Sequence, residues 1–329
     1  MSDSPRESKE RPIPESLLGR IVAQYGDAEA ARIQEGFTAR RAVTLRANTL
    51  KAGREDIARQ LDAAGIAWEA PPAPALADAL VIRGAREDAI RALPAYEAGE
   101  LYLQSLSAML PAVVLDPKPG ENILDMAAAP GGKTCQMAAL SGGGALITAC
   151  EKNHVRAERL RYNLAKQGAS RVSVMECDAR KLDGFFSFDK ILLDAPCSGS
   201  GTVQIVDGAC KTGFTDELLA RSVKAQRALL RKALEILKPG GLLAYATCSI
   251  LADENERLIE RVLDEWGGTA AKRRGKGGAA GKAKLEIEPV PDALLEGVPT
   301  LPCRLPGAAV IRPTELFEGF FLALIRKGR

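Results

Sequence analysis

The sequence has a single histidine, no closely spaced cysteine pair and no long apolar run. With only His154 present, a His-rich metal site is excluded. The seven cysteines are odd in number and form no Cys-x-x-Cys pair, which argues against a disulfide framework or a zinc ribbon and for a reducing compartment. No apolar stretch approaches the roughly 20 residues of a membrane span, and the first residues are too polar for a secretory signal. These absences predict a cytoplasmic protein without a membrane segment or a metal.

The overall composition is that of a soluble globular protein. Its 329 residues are enough for one large domain or two ordinary ones, and 46% of them are hydrophobic while 26% are charged. The net charge of +3 neither requires nor excludes a nucleic-acid partner, because the clustering of basic residues decides that. A monomer is the default expectation.

The first third of the chain has the mixed patterning of a small α+β domain. Helix-like apolar spacing occurs in 17–22, 28–37 and 54–64, whereas 41–48 and 79–82 have strand character. We therefore predict a small α+β domain at 13–95 that follows a disordered N-terminus at 1–12.

From about residue 103 onward, apolar strand-like runs alternate with helix-like segments. The predicted strands are 122–126, 145–150, 172–177, 190–194 and 242–247, and the predicted helices are 132–140, 155–167 and 216–237. Repeated strand–helix units imply an α/β fold with a parallel, doubly wound sheet. The second domain is predicted at 96–329, with a final edge strand at 319–325.

A glycine- and lysine-rich segment interrupts this second domain at 267–284. It is basic, of low complexity and without apolar periodicity, so it is predicted to be a flexible loop. Two interpretations remain open: a solvated insertion, or an arm that binds the backbone of a polyanion.

Two short segments each carry a cysteine just after an apolar run. They are Asp194-Ala195-Pro196-Cys197 and Ala246-Thr247-Cys248-Ser249. If the two runs are neighbouring parallel strands, both thiols emerge at the carboxyl edge of the sheet, where open α/β sheets bind ligands. The pattern indicates covalent chemistry on a bound substrate.

A glycine-rich turn from Ala127 to Lys133 joins a predicted strand to a predicted helix. Backbone N–H groups and a helix N-terminus at such a turn attract an anion, here a carboxylate. The turn lacks both the Gly-x-Gly-x-x-Gly spacing of dinucleotide sites and the spacing of a P-loop. A dinucleotide or triphosphate ligand is therefore disfavoured.

Acidic residues end three successive predicted strands after this turn. Glu151 is placed to accept hydrogen bonds from ribose hydroxyls, Asp178 lies within reach of an adenine amino group, and Asp194 lies between cofactor and reaction centre. One such carboxylate is more often a helix cap than a ligand. Three in succession suit a nucleoside that carries an amino acid.

The chain resembles the RNA cytosine-5 methyltransferases of the Sun/NOL/NSUN-type (RsmB/NOP-like) family over nearly its whole length. The segments that carry the resemblance are Ala127-Ala128-Ala129-Pro130-Gly131-Gly132-Lys133-Thr134, Asp194-Ala195-Pro196-Cys197-Ser198-Gly199, Tyr245-Ala246-Thr247-Cys248-Ser249 with Glu254-Asn255-Glu256, and Glu318-Gly319-Phe320-Phe321. The combination of the Pro-Cys and Thr-Cys segments with the glycine-rich turn is highly specific.

The resemblance implies a Rossmann-like class I methyltransferase domain with an antiparallel last strand, preceded by a small RNA-contacting α+β domain. It also implies S-adenosyl-L-methionine as cofactor, Cys248 as nucleophile and Cys197 as the second cysteine. Cys197 is expected to assist release of the product or to act as the base that starts elimination. The cofactor-binding residues that the resemblance implies are Ala127, Ala128, Ala129, Pro130, Gly131, Gly132, Lys133, Glu151, Arg156, Asp178 and Asp194.

Carbon 5 of cytosine is too poor a nucleophile to take a methyl group directly. A thiolate that adds to carbon 6 makes carbon 5 reactive, and a base must later remove the carbon 5 proton. From the residues alone, Cys197 and Cys248 are almost equal candidates for this thiolate; the family assigns it to Cys248. Asp194 is expected to bind the ring nitrogen or the exocyclic amine, and Lys133 to neutralise charge that develops on the base.

The expected partner is RNA, with ribosomal RNA ahead of transfer RNA. One departure from the family affects this expectation: 202–207 lacks the basic pair that is frequent after the position of Gly201. An RNA-binding ribosome-assembly factor with dispensable activity and a small-molecule or DNA methyltransferase are the alternatives.

Overall fold

The computed structural model describes residues 13–274 and 283–329, so the prediction for 1–12 lies outside the described residues. The chain begins with a small α+β unit. Its helices are α1 (Glu15–Thr38), α2 (Arg54–Ala63), α3 (Glu87–Arg91) and α4 (Pro94–Ala98), and its strands are β1 (Val43–Ala47), β2 (Trp68–Glu69), β3 (Ala79–Ile82) and β4 (Leu101–Leu103).

The four strands of this unit form one antiparallel sheet in the order β2-β3-β1-β4. Apolar side chains of β1, β3 and α2, among them Leu45, Leu80 and Leu61, form its core. The sheet includes β4, which lies beyond residue 95, and the division of the chain at that position stays a prediction.

The second unit alternates strands and helices before a strand-rich C-terminal part. Its helices are α5 (Leu106–Leu115), α6 (Gly132–Leu140), α7 (His154–Gln167), α8 (Asp216–Ile236), α9 (Glu256–Arg274) and α10 (Asp292–Leu295). Its strands are β5 (Asn122–Asp125), β6 (Leu146–Cys150), β7 (Val172–Met175), β8 (Phe188–Asp194), β9 (Gln204–Val206), β10 (Ala209–Lys211), β11 (Leu237–Thr247), β12 (Leu285–Glu288), β13 (Thr300–Leu301), β14 (Ala309–Ile311) and β15 (Phe320–Lys327).

The central sheet has the order β13-β14-β15-β11-β8-β5-β6-β7, and β12 also pairs with β15. Strands β11, β8, β5, β6 and β7 are mutually parallel. Along β8, Ile191 and Leu193 belong to one apolar core and Leu192 to the other, so the sheet is covered on both faces, as expected for parallel strands. The predicted α/β fold with a parallel, doubly wound core is confirmed, as is the antiparallel last strand.

Two details of the sequence-based prediction are wrong. Strand β15 is not an edge strand, because it pairs with β11 on one side and with β14 and β12 on the other. Helix α9 runs through Arg274, so 267–274, predicted as loop, is helical; alanine, lysine and arginine are good helix formers that extend the amphipathic turn before them. Residues 275–282 of the predicted loop lie outside the described part of the chain.

Helix α1 precedes the small sheet in sequence but packs on the central one. Its side chains Leu17, Ile21 and Phe37 are fully buried in the same core as Tyr245 of β11. Tyr25 Oη donates to the carbonyl of Ile250 at 2.6 Å, so α1 also holds the loop that follows β11.

Candidate active site

The candidate site is a cavity of about 540 Å³ at the carboxyl edge of the parallel strands. This volume is within the usual range for small-molecule sites. Of the residues predicted from the sequence, Ala127, Ala129, Lys133, Glu151, Arg156, Asp178, Asp194, Cys197 and Cys248 line the cavity. The other four, Ala128, Pro130, Gly131 and Gly132, belong to the turn behind it.

The two predicted cysteines meet at this edge. Because β8 and β11 are parallel neighbours, the segments that follow them run side by side, and Cys197 Sγ lies 2.8 Å from Cys248 Sγ. The backbone nitrogen of Gly201 donates to the carbonyl of Cys248 at 3.0 Å, and the hydroxyls of Ser200 and Ser249 are 2.8 Å apart. The two cysteine loops are therefore joined by hydrogen bonds into one rigid element.

The surroundings of the two thiols differ. The hydrogen bond to Cys248, burial and the nearby charge of Glu254 raise the pKa of Cys197 well above the ordinary value for a thiol. Cys197 therefore stays protonated near neutral pH, and its thiol is suited to donate a hydrogen bond to the sulfur of Cys248.

Lys133 and Asp194 form an ion pair inside the cavity. Lys133 Nζ lies 2.7 Å from Asp194 Oδ2 and 5.6 Å from the centre of the Phe320 ring. Burial opposes the charge on Lys133, but the attraction of Asp194 and Asp125 outweighs it, so the pKa of Lys133 is raised. The cavity thus contains a permanent ammonium group beside the carboxylate.

The glycine-rich turn is shaped by packing as much as by any ligand. Gly131 has a φ of +110°, and a Cβ built on it would lie 2.9 Å from Leu160 Cδ1. A Cβ on Gly132 would lie 3.0 Å from Tyr102 Cε1. These glycines let the turn approach α7 and the small unit closely, and this brings Ala127 and Ala129 to the cavity wall.

Asp125 at the end of β5 supports the same turn. It is 1% exposed and accepts a hydrogen bond from Thr134 Oγ1 at 2.7 Å. Burial raises the pKa of Asp125 to about 6, partly offset by that hydrogen bond. Asp125 therefore acts on the site through the position of the turn.

Glu151 and Arg156 form a second charged pair on the cavity wall. Glu151 is almost fully buried and accepts from the backbone nitrogen of Asn153 at 2.9 Å. Arg156 Nη2 lies 3.5 Å from Glu151 Oε2 and donates to the carbonyl of Ala129 at 2.8 Å. Arg156 thereby connects the glycine-rich turn to the carboxylate after β6.

Asp178 is held by its neighbour Arg180. The guanidinium of Arg180 hydrogen-bonds both carboxylate oxygens, with Nε at 2.9 and 3.0 Å, and lowers the pKa of Asp178 to about 2. Arg180, which sequence reasoning did not identify, also lines the cavity. The Asp-x-Arg spacing is the only sequence signal for this pair.

Several further lining residues were missed. They are Ala108, Met126, Cys150, Lys152, Cys177, Ala179, Arg180, Ala195, Pro196, Thr202, Ala225, Leu229, Glu318 and Phe320. Ala195, Pro196, Glu318 and Phe320 lie in segments that sequence analysis singled out for the family resemblance, and the last two stand just before β15 and at its start. Ala225 and Leu229 come from α8, and the amphipathic pattern of a helix does not distinguish a cavity-lining position from a core position.

The described residues were also compared with the requirements of a metal site and of a membrane-spanning helix. In residues 13–274 and 283–329, the side chains that could together hold a metal ion are His154, Glu158 and Glu176, all exposed, and none of them lines the cavity. Among the same residues, no helix has the length and apolarity needed to span a bilayer.

Two family models match the chain. The model for 16S rRNA methyltransferase RsmB/F matches residues 112–324. The model for the ferredoxin-like domain of RsmF/B-like methyltransferases matches residues 13–87, which include most of the small unit.

Curated relatives carry names of the same kind. The human 28S rRNA (cytosine(4447)-C(5))-methyltransferase is 36% identical over 252 residues, which are 75% of this chain and 31% of the human protein. Ribosomal RNA small subunit methyltransferase F of Shewanella oneidensis is 36% identical over 228 residues, 68% of this chain and 48% of that protein. The chain thus spans between about a third and a half of the length of these relatives.

Solved structures match at full length. A methyltransferase homolog from Pyrococcus horikoshii superimposes with a TM-score of 0.75 at 30% identity, covering 96% of this chain and 100% of that one. NSun6 from Pyrococcus horikoshii, crystallised with SFG, superimposes with a TM-score of 0.78 at 23% identity over 96% of this chain and 98% of its own, a likeness of fold. With the RsmB/F model covering most of its length and the two cysteine segments in place, the chain belongs to the 16S rRNA methyltransferase RsmB/F family.

Proposed function

We propose that this chain methylates carbon 5 of cytosine in RNA, with S-adenosyl-L-methionine as methyl donor and Cys248 as the covalent nucleophile. The observation that carries the proposal is the pair of thiols, 2.8 Å apart, beside a cavity lined by the glycine-rich turn and three strand-end carboxylates. Ribosomal RNA is the proposed substrate, ahead of transfer RNA, because the relatives are named for ribosomal RNA.

The cavity fits the proposed cofactor in size and in chemistry. Its volume of about 540 Å³ suits a nucleoside with an amino-acid chain. Glu151 would accept from the ribose hydroxyls, the backbone of the glycine-rich turn would hold the cofactor carboxylate, and Asp194 offers negative charge to a sulfonium. Bound there, S-adenosyl-L-methionine supplies an electrophilic methyl group.

The residues of this chain prepare the base for that methyl group. The Cys248 thiolate adds to carbon 6 of cytosine, which places electron density on carbon 5. Asp194 binds the ring nitrogen or the exocyclic amine, and the ammonium of Lys133 stabilises the negative charge that develops on the ring. After methylation a base removes the carbon 5 proton, and the bond between carbon 6 and Cys248 Sγ breaks.

Cys197 acts in this last step. Its raised pKa keeps it as a thiol, so it donates a hydrogen bond to the departing sulfur of Cys248 instead of serving as the base itself. A donor at this position stabilises the leaving thiolate and speeds release of the product.

The test uses three variants, each with one cysteine replaced by alanine, together with the methyl donor and purified ribosomal or transfer RNA. Cys248→Ala should show neither turnover nor adduct, whereas Cys197→Ala should accumulate a covalent protein–RNA adduct on a denaturing gel. Cys303→Ala serves as the matched control and should behave as wild type, because Cys303 is half-buried and lies outside the cavity. An adduct with Cys248→Ala would reverse the two roles.

Bisulfite sequencing of RNA from cells with and without the gene identifies the substrate. A cytosine that loses protection in the deletion strain is the target. If no cytosine changes, and if Cys248→Ala restores every phenotype of the deletion, the assembly-factor alternative is correct.

A further inference from the structure

A buried arginine of the small unit reaches the glycine-rich turn of the candidate active site. Arg46, on β1, is 2% exposed, and its Nη2 donates to the carbonyl of Gly132 at 3.0 Å. Gly132 is the first residue of α6 and the last glycine of the turn. Arg46 does not line the cavity, so it acts on a bound ligand through the turn and through its charge.

The side chain of Arg46 is held in this position by β4 and the residue that follows it. Its Nε donates to Gln104 Oε1 at 3.0 Å, and its guanidinium carbon lies 5.4 Å from the centre of the Tyr102 ring. The amide of Gln104 in turn donates to Gln136 Oε1, on α6, at 3.0 Å. Arg46 and Gln104 together therefore fasten the beginning of α6 to the small unit.

The positive charge of Arg46 has no close counter-ion. Its Nε and Nη2 donate to neutral oxygens, and its Nη1 is buried without a hydrogen-bond partner among the residues that the structure describes. Burial lowers the pKa of Arg46, and Cys135, Tyr102 and Asp78 oppose this effect. Of these three groups only Asp78 is a carboxylate, since burial raises the pKa of Cys135 to about 11 and that of Tyr102 to about 12.

A buried charge of this kind favours an anion in its neighbourhood. A guanidinium keeps its proton in proteins, and burying it without a partner of opposite charge is costly. The N-terminus of α6 already attracts an anion through its free N–H groups and the helix dipole. Lys133, the next residue, is neutralised by Asp194, whereas the charge of Arg46 is not compensated at close range.

We propose that Arg46 is a positioning residue for the methyl donor, one that fixes the glycine-rich turn through Gly132 and adds positive charge behind the donor's carboxylate. This inference rests on the proposed function, because it takes S-adenosyl-L-methionine as the donor. It also gives the small unit a part in donor binding, which is distinct from any contact with RNA.

The test compares two ligands that differ in the carboxylate alone. S-Adenosyl-L-homocysteine carries it, and the decarboxylated form of the same molecule keeps the nucleoside, the thioether and the ammonium group. Calorimetric titration gives the ratio of the two affinities for the wild type and for Arg46→Met. The preference for the carboxylate should fall about tenfold in Arg46→Met, because a charge at the helix N-terminus is lost.

Asn48→Ala is the matched control. Asn48 is fully buried, and its Nδ2 donates to the carbonyls of Gly99 and Gln167 at 2.8 and 2.7 Å. Like Arg46, it bonds once near β4 and once to the second unit, but its partner there ends α7 and is not part of the turn. Asn48→Ala should lose thermal stability and keep the wild-type preference for the carboxylate.

Gln104→Glu tests the charge while the arginine stays in place. The new carboxylate lies beside Arg46 Nε and compensates its charge, so the preference for the carboxylate ligand should fall here as well. This variant decides the question if Arg46→Met does not fold.

An unchanged preference in Gln104→Glu and in folded Arg46→Met would overturn the proposal, as would an equal fall in Asn48→Ala. Donor binding and methyl transfer to RNA by the wild type are measured in parallel. If the wild type binds S-adenosyl-L-homocysteine and methylates RNA while Arg46→Met behaves like Asn48→Ala, only the role of Arg46 is wrong. A wild type that neither binds this ligand nor methylates RNA overturns the proposed function as well.

Discussion

Glu254 accepts two hydrogen bonds from Ser198, the residue after Cys197: one from its backbone nitrogen at 2.7 Å and one from its hydroxyl at 2.5 Å. The carboxylate is fully buried and also accepts from Gln226 Nε2 at 3.0 Å. Glu254 follows Cys248 closely in sequence, so this contact fixes one cysteine loop against the segment that carries the other cysteine.

Replacing Glu254 by methionine should therefore impair Cys197 more than Cys248. Buried donors on Ser198 and Gln226 would be left unpaired, at a cost in the free energy of unfolding of roughly 2–4 kcal/mol. We expect slower product release and accumulation of the covalent adduct, quantified on a denaturing gel, alongside a lower midpoint of urea unfolding.

Glu254→Gln is the conservative partner of this variant. A glutamine keeps one oxygen acceptor, and the Ser198 hydroxyl can turn to accept from its amide, so most of the stability should return. Glu260→Gln changes a partly exposed carboxylate of α9, the helix that begins two residues after Glu254, and should have no effect on the adduct. Equal adduct levels in Glu254→Met and in Glu260→Gln would contradict a positioning role for Glu254.

Lys133→Met should lower turnover by at least about a hundredfold, the usual loss when one preorganised electrostatic donor is removed. The reason is that the ammonium group of Lys133, paired with Asp194 in the cavity, is the group expected to stabilise the charge that develops on the cytosine ring. Steady-state methyl transfer to RNA measures the effect. Lys232→Met is the matched control, since Lys232 is equally shielded, with 15% exposure against 16%, and is paired with Glu235 instead. Similar turnover in the two variants would exclude an electrostatic role for Lys133.

Asp125 should make the protein less stable as the pH rises. Its pKa is about 6 in the folded chain, above the ordinary value of an aspartate, so its stabilising contribution is present at about pH 4 and lost as the pH passes about 6. Relative to Asp125→Asn, the free energy of unfolding of the wild type should fall by about 2–3 kcal/mol between about pH 4 and pH 7.5. Urea unfolding at both pH values measures the difference.

Asp189 provides the control of opposite sign. Hydrogen bonds from Lys238 and the backbone of Asn122 outweigh its burial, so the pKa of Asp189 is lowered and its contribution is lost on acidification. The stability of the wild type relative to Asp189→Asn should therefore rise with pH. If the free energy of unfolding changed with pH in the same direction for both aspartates, the raised pKa of Asp125 would be contradicted.

Gly131→Ala should destabilise the chain and weaken binding of the methyl donor. The left-handed backbone alone costs an alanine roughly 1–2 kcal/mol, and the new Cβ would also press on Leu160. Gly65→Ala separates the two effects, since Gly65 has a φ of +66° but no atom within 4 Å of a built Cβ. Thermal unfolding and calorimetric titration with the methyl donor compare them. A donor affinity that falls equally in both variants would mean that the turn at Gly131 has no special part in binding.

The parallel core was predictable because it depends on local patterns, and the meeting of the two cysteines was predictable on the condition that their strands are neighbours. Apolar runs that end in polar residues mark the strands β8 and β11, and parallel neighbours necessarily present their carboxyl ends together. The separation of the two sulfurs and the bracing by Glu254 were not predictable, since they depend on loop conformations that no periodicity records.

The C-terminal strands and the placement of α1 show a second limit. The apolar run at 319–325 identified a strand, but nothing local reveals that β14 and β12 cover its outer side. Likewise, the spacing in 17–22 and 28–37 identified helical segments without indicating that they join in α1 or which core receives them. Which distant segments pair depends on competition among all the apolar surfaces of the folded chain, and local sequence patterns do not show its outcome.

The position of α1 has a consequence for engineering. In sequence α1 belongs to the segment that matches the ferredoxin-like model, yet its apolar side chains are buried against the central sheet. Its Gln24 donates a hydrogen bond to the carbonyl of Ile250 and accepts one from the backbone nitrogen of Ala252. A chimera that exchanges the small unit between relatives at a junction before Glu15 would also replace α1, so that side chains from another protein would face that core and the loop behind the nucleophile. The productive crossover point lies after Thr38, where the host keeps its own first helix and only the antiparallel sheet is grafted.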